Sequence, residues 1–277
     1  YDKLRAINED ALKKAEKTGS AQQIGDFWYS GMDTAAIEKS GVEPLRDELN
    51  KIAAMKTTDD VMTQAARMHS YGSNVFFDEG VSQDPKHSDV EAYNMAQGGL
   101  GMPNRDYYFN TDAQTVKVRT AYPKYVATIF KLLGSNEADA ARKADAVMAM
   151  ETTLAKSSRK LEDLRDPYAN YNKYAISKLR SMAPGTDWPK YLGQMGVQHL
   201  DSVIVGQPEF YTTLDKVVNS TDLQTLKDYM AFHLVTTFSS FLSKPFADAS
   251  FDFYSRTIRG AQEQHPRWRR VLDAEDR

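Results

Sequence analysis

The chain carries five histidines, His69, His87, His199, His233 and His265, and no cysteine. These are the side chains that bind transition metals or activate nucleophiles, so their spacing is the first test of chemistry. A helical zinc site needs two histidines one turn apart, as in H-E-x-x-H. No two of the five lie three to five residues apart, and none is followed by Glu. Without cysteine the chain has no thiolate nucleophile, no disulfide and no Cys-ligated metal. His233, between Phe232 and Leu234, reads as a core or half-buried imidazole. A Ser-His-Asp triad can be assembled from distant residues and stays open, although no G-x-S-x-G elbow marks one. Gly98-Gly99-Leu100-Gly101 is glycine-rich, but it runs into Pro103 and not into a helix start with Lys, so it is no phosphate loop.

The charged residues give little more. Glu151 and its helix neighbours read as a solvated face, as do Glu162-Asp163 and Asp166, because acid-base work needs carboxylates that converge. Arg256, Arg259, Arg267, Arg269 and Arg270 surround Trp268, a basic-aromatic cluster of the kind that binds nucleic acid. Yet Asp273, Glu275 and Asp276 follow, and the net charge over 277 residues is -3. Local ion pairing or docking onto another surface is the expectation, with no nucleic-acid partner. Leu100 to Tyr108, LGMPNRDYY, packs Gly, Pro and Asn ahead of an Arg-Asp pair and two rings. It reads as a fixed turn. Arg105 and Asp106 satisfy each other or nearby backbone, and Tyr107 and Tyr108 anchor the turn on helices.

The elements that must position these residues are mostly helical. Leu4, Ile7, Ala11, Leu12 and Ala15 form one apolar stripe from residue 2 to about 17, ended by Gly19. Phe27, Trp28, Met32 and Ile37 mark a second helix from about Ile24, closed by Gly41. Glu43-Pro44 opens a third with Leu45, Leu49, Ile52 and Ala53 inward, and Thr58 or Asp59 starts a fourth through Val61, Ala65 and Met68. Ser73 to Phe77 and Val90 to Ala96, separated by turn residues, predict a β-hairpin at about residues 74–97, expected to be the only sheet. Asp112 caps a long helix to Gly134, which Pro123 should kink or split. Asn136 to about Lys160 is rich in good helix formers. Arg165 to Lys173 reads as loop. Shorter helices follow near 176–182 and 188–195, then an extended Val203-Ile204-Val205, then helices at 208–218, 222–240 and 246–260. The fold class is mainly α, with no repeat, no clean domain boundary and no apolar run of the roughly 18 residues a spanning helix needs. The opening Tyr1-Asp2-Lys3-Leu4-Arg5 reads as helix, not as a signal peptide.

LGMPNRDYY resembles the L-G-[LM]-P-x-R-D-Y-Y signature of the neprilysin and endothelin-converting-enzyme family of zinc metallopeptidases; the matching positions are Leu100, Gly101, Pro103, Arg105, Asp106, Tyr107 and Tyr108. Further landmarks follow in the family's order. Tyr29 to Leu45 resembles its Y-x-S-C segment, with Gly31 where many relatives carry Cys. Arg165-Asp166-Pro167 with Tyr171-Asn172-Lys173 resembles R-D-P-x-x-x-Y-N. Asp222 to Tyr229 resembles the L-x-x-Y helix, and Phe253 to Arg270 the stretch ending R-W-[KR]-R. The resemblance covers residues 1–277 and implies the N-terminal helical cap region of a larger two-lobed peptidase. The early helix near 1–17 and the tail near 250–277 would contact the catalytic lobe. It implies Zn2+ in the intact enzyme, with ligands not on this chain, because the family's H-E-x-x-H lies beyond the matched region. The implied partners are the C-terminal catalytic half and short peptide substrates, and the implied location is extracytoplasmic; the missing Cys fits bacterial relatives. By this resemblance the chain alone is expected to be inactive.

Among site residues only Arg5 carries over. Tyr1 to Arg5 resembles the family's F-x-x-L-R, whose Arg lines the pocket for residues after the scissile bond, and a planar guanidinium suits a peptide carboxylate. The same residue also reads as a surface Arg paired with Glu9 four residues on. The alternative for the whole chain is a stand-alone helical module that binds peptide or protein without catalysis.

Overall fold

In chain order the elements are α1 (Asp2–Lys13), α2 (Gly19–Met32), α3 (Thr34–Ser40), α4 (Arg46–Ala54), α5 (Thr58–His69), β1 (Phe77–Asp84), β2 (His87–Gln97), α6 (Asp106–Phe109), α7 (Ala113–Leu132), α8 (Glu137–Ser157), β3 (Asn172–Ala175), α9 (Ile176–Met182), α10 (Trp188–Gln194), β4 (Ser202–Val205), α11 (Pro208–Ser220), α12 (Leu223–Phe238), α13 (Lys244–Ser250) and α14 (Arg267–Glu275). The computed structural model describes residues 1–13, 18–197 and 199–275. Two units emerge, one from Tyr1–Pro44 with Phe238–Arg277, the other from Leu45–Thr237.

In the larger unit, helix starts follow side-chain caps. Thr57 and Asp60 form a reciprocal capping box on α5, and Asp112 and Asn136 accept from the backbone N–H three residues on at the starts of α7 and α8. Each cap satisfies a backbone donor that the helix leaves free. The mainly α class holds, and the hairpin forms with Phe77 opposite Gln97 and Val81 opposite Tyr93. It is not a sheet by itself. The order is β1-β2-β4-β3, with β2 parallel to β4 and β3 antiparallel to β4. Val203, Ile204 and Val205 are buried at the centre of it. The split that Pro123 could impose does not occur: α7 runs through it for 20 residues. Tyr122, Tyr125, Val126 and Ile129 are buried along this helix, so packing holds the turn that the proline weakens. Around Phe77 the rings of Trp188, Tyr191 and Tyr211 lie at 6.0, 5.5 and 5.6 Å, an aromatic core that locks the hairpin base onto α10 and α11.

The smaller unit departs more from expectation. The end of the first helix was expected across residues 14–17, which lie outside the described residues; Gly19 opens α2 and does not close α1. The expected second helix divides at Asp33, whose carboxylate accepts from Ala36 N–H at 3.0 Å and starts α3. Beyond α13 the chain continues as a π-helical segment, Phe251–Ile258. The Arg-rich tail, for which the sequence pattern predicts no helix, is α14. Its Val271 and Leu272 pack with Trp28, Leu12 and Met32.

Candidate functional site

The LGMPNRDYY turn leaves β2 and enters α6. Asn104 Oδ1 accepts from Asp106 N–H at 2.9 Å, and Asn104 O from Tyr107 N–H at 3.3 Å, which closes the turn. Arg105 reaches Asp106 at 3.3 Å and the Ala155 carbonyl at 3.4 Å, and its guanidinium lies 5.1 Å from the Phe109 ring. The mutual Arg-Asp contact is thus present. Pro103 is exposed, Leu100, Arg105, Asp106 and Tyr107 are half-buried, and Gly101 and Tyr108 are buried.

Beneath the turn lies Glu151 of α8, fully buried. This corrects the reading of Glu151 as part of a solvated face. Its Oε2 accepts from the Tyr108 hydroxyl at 2.6 Å and from Gly101 N–H at 3.2 Å. Its Oε1 accepts from the Tyr122 hydroxyl at 2.8 Å and meets His233 Nε2 at 2.8 Å, which assigns the proton to Nε2 because a carboxylate only accepts. His233 is buried, as expected. Burial, and then the Glu151 charge, push the neighbouring Tyr229 phenol far above its ordinary value, so it stays a neutral donor, to the Gly99 carbonyl at 2.8 Å. Gly101 is required by close approach: a Cβ there would sit 1.9 Å from the Tyr122 hydroxyl oxygen. The sequence did hold a signal for Glu151. Ala140, Ala144, Val147 and Leu154 are buried on α8, and Glu151 falls at the next step of the same helical spacing.

A second buried network joins His69, Glu79 and Tyr191. His69 Nδ1 lies 2.7 Å from Glu79 Oε1, and His69 Nε2 accepts from Val75 N–H at 3.0 Å. Tyr191 donates to Glu79 as well. Burial, and then Glu79, drive the Tyr191 phenol far upward. The side chains of His69 and Glu79 are 1% and 2% exposed, so the pair resembles a catalytic dyad in composition but is closed to substrate. The cleft beside the motif, about 300 Å³ and lined by Asn74, Asp78, Gln97 and Arg105, offers one carboxylate, already bonded by Asn74 at 3.1 Å. It holds no acid-base pair.

Arg5 lies on α1 in the smaller unit. Its Nε donates to Glu9 Oε1 at 2.8 Å, and its guanidinium lies 5.1 Å from the Trp268 ring. Both partners of the ion pair are well exposed. Around it the expected inward stripe of α1 is only half realised. Ala11 is buried, whereas Leu4 and Ile7 are 48% and 54% exposed, as is Tyr1 just before the helix at 57%.

The zinc implied by the family resemblance does not fit these residues. His87, His199 and His265 are exposed and His69 and His233 are each taken by one glutamate. Among the described residues no group of three or more His, Asp or Glu is arranged to hold a metal ion. No reaction step is assigned to zinc on this chain.

The family model described as Peptidase family M13 matches residues 1–277. Endothelin-converting enzyme 1 of Rattus norvegicus is 28% identical over 96% of the chain, and Neprilysin-3 of Drosophila melanogaster is 27% identical over 97%. The zinc metalloprotease Zmp1 of Mycobacterium tuberculosis, solved with an inhibitor, superposes with a TM-score of 0.93 at 28% identity over 98% of the chain. The chain spans 36% of the rat enzyme, 38% of the fly one and 42% of the Zmp1 chain. A match along its whole length to the family, with the signature turn folded onto its own buried carboxylate, places the chain in peptidase family M13, the zinc metallopeptidases of the neprilysin type, as their N-terminal part.

Proposed function

We propose that this chain is the non-catalytic, cap-forming part of a zinc-dependent oligopeptidase that hydrolyses peptide bonds in short peptides. The observation that carries the reading is the full-length family match together with coverage of only 36% of the rat relative. In this reading the zinc, its ligands and the general base belong to another part of the polypeptide. The present residues enclose the substrate cavity and limit entry by size, a selectivity that needs shape and no reactive group. The exposed Leu4 and Ile7 on α1, with Tyr1 just before it, support docking of the early helix, with the tail, against the catalytic lobe. Arg5 is proposed to bind substrate carbonyls or a terminal carboxylate, swinging from Glu9 to do so; an exposed ion pair of this kind is worth at most about 1 kcal/mol and yields easily. An extracytoplasmic location is part of the same proposal.

The test compares residues 1–277 with the intact polypeptide in a fluorogenic peptide assay and by metal analysis. Turnover and stoichiometric zinc are expected only in the intact protein, and cleavage should fall off for folded protein substrates. Tight zinc binding or peptide cleavage by residues 1–277 alone would overturn the assignment.

A further inference from the structure

The smaller unit contains a pocket of about 320 Å³ whose lining includes Phe27, Ile37, Phe241 and Val271 together with Arg267 and Arg270. Phe27 and Phe241 are 38% and 46% exposed, so the apolar wall is open. Arg267 is fixed by donating from Nε to the Gly31 carbonyl at 2.6 Å. The Nε of Arg270 is buried and has no hydrogen-bond partner. Among the described residues neither guanidinium lies within ion-pair distance of a carboxylate. Burial lowers the pKa of both, and the Arg267 charge adds to the effect on Arg270. Glu38 beside Arg267 and Asp248 beside Arg270 offset part of this from beyond ion-pair distance, and the two partly desolvated like charges are relieved further when an anion joins them directly.

We propose that this pocket binds a small monocarboxylate with an apolar body, its carboxylate held by Arg267 and Arg270 and its body packed on Phe27, Ile37 and Phe241. Asp273 also lines the pocket, held by the Tyr1 hydroxyl at 3.2 Å, and it disfavours a second negative charge on the ligand. The volume sits at the small end of ligand sites, roughly 300–1,000 Å³, enough for one amino-acid-sized group. Planar guanidinium pairs are the usual recognition element for a carboxylate. The chemistry fits either the C-terminal residue of a peptide or a free acid.

The test is binding to the intact polypeptide, read by calorimetry and ligand-observed NMR, with N-acetylphenylalanine, its amide and an N-terminally extended peptide ending in Phe. The acid is expected to bind at one site and the amide roughly tenfold or more weaker, since the charge-assisted bonds are lost. Arg270→Gln should weaken the acid by a similar factor and leave the amide unchanged. Ser30→Trp, from an exposed position in the lining, should abolish both without moving the melting temperature, which keeps the result readable if the Arg270 variant folds poorly. Retained binding of the extended peptide assigns the site to peptide termini; its loss assigns it to free acids. Equal affinity for acid and amide, indifference to Ser30→Trp, or no saturable binding up to about 10 mM acid, weaker than roughly 3 kcal/mol of affinity, would refute the proposal.

Discussion

Replacing Glu151 with Ala tests the central structural conclusion. The wild-type carboxylate receives two hydroxyls, one imidazole N–H and one backbone N–H. The Tyr108 hydroxyl also accepts from Met102 N–H at 3.3 Å, so it retains one bond. That bond is accepted, so Tyr108, Tyr122, His233 and Gly101 each lose a donated bond to Glu151, all of them buried. A buried donor that loses its acceptor costs about 1–3 kcal/mol. Because the site can relax and admit water, the lower part of the summed range applies, about 4 kcal/mol, with a further contribution from the space vacated. Against a total stability of about 5–15 kcal/mol for a folded domain, that loss is large. Glu151→Gln keeps the shape but turns one acceptor into a donor facing donors, and about 2 kcal/mol is expected. The assay is urea unfolding followed by far-UV circular dichroism, with amide hydrogen exchange at Gly101 and Met102 as the local probe, since the molecule has two units and a single global transition is not assumed. At about 4 kcal/mol, local protection falls by roughly three orders of magnitude. The exposed Glu137→Ala serves as control and should stay within about 0.5 kcal/mol. If Glu151→Ala cost no more than that control, the buried carboxylate would not be the anchor of the turn.

Gly101→Ala drives a methyl into the Tyr122 hydroxyl, which is buried and held by Glu151, so a loss of at least about 2 kcal/mol is expected in the same assay. A Cβ on Gly31 would lie 3.4 Å from Val271 Cβ and 2.7 Å from one of its methyls. Gly31→Ala should therefore destabilise, whereas Gly31→Cys with Val271→Cys should close a disulfide between α2 and α14 and raise the oxidised melting temperature, by roughly 2 kcal/mol in stability; two free thiols under oxidising conditions would count against it. Asp84 is buried, which raises its pKa, but the Lys86 N–H, Lys173 and Tyr171 outweigh that and hold it at about 2. A carboxylate lowered on folding stabilises above its unfolded value and loses that contribution as pH falls through the folded one, here between about 4 and 2. Carboxyl NMR should show Asp84 titrating near pH 2, and upward of that in Lys173→Met; an unshifted titration would remove the argument. Arg5→Ala in the intact enzyme should raise KM for short peptides roughly tenfold with little change in kcat, the signature of lost uniform binding, and leave stability within about 0.5 kcal/mol. Unaltered KM would leave only the Glu9 pairing.

What could be read from sequence divides by the range of the interaction. Helices α5, α7 and α8 were legible because cap and apolar spacing lie within a few residues of each other, as Thr57 with Asp60 and Asp112 with Thr115 show. The edge strand β3 was not. Asn172–Ala175 carries no strand pattern and is extended because Val203 and Ile204, some thirty residues later, supply its partners. Helix α14 was hidden by its arginines, although Val271 and Leu272 give it a buried edge. Gly31 shows how distant the determinants can be, since the residue it makes room for is 240 positions away in sequence.

The motif shows the same division in the site itself. Arg105 and Asp106, adjacent in sequence, pair as adjacency suggests. The pairing that matters most, Tyr108 with Glu151, crosses 43 residues and was invisible while Glu151 was judged by its charge alone. Position should have outweighed type there. A carboxylate on the buried side of an apolar helix is tolerable only where donors converge on it, and the turn that brings Gly101 and Tyr108 to α8 is such a convergence. The same geometry argues against reactivity. Each Glu151 oxygen already takes two donors and the side chain is fully buried, so the carboxylate and the turn above it hold the fold in place.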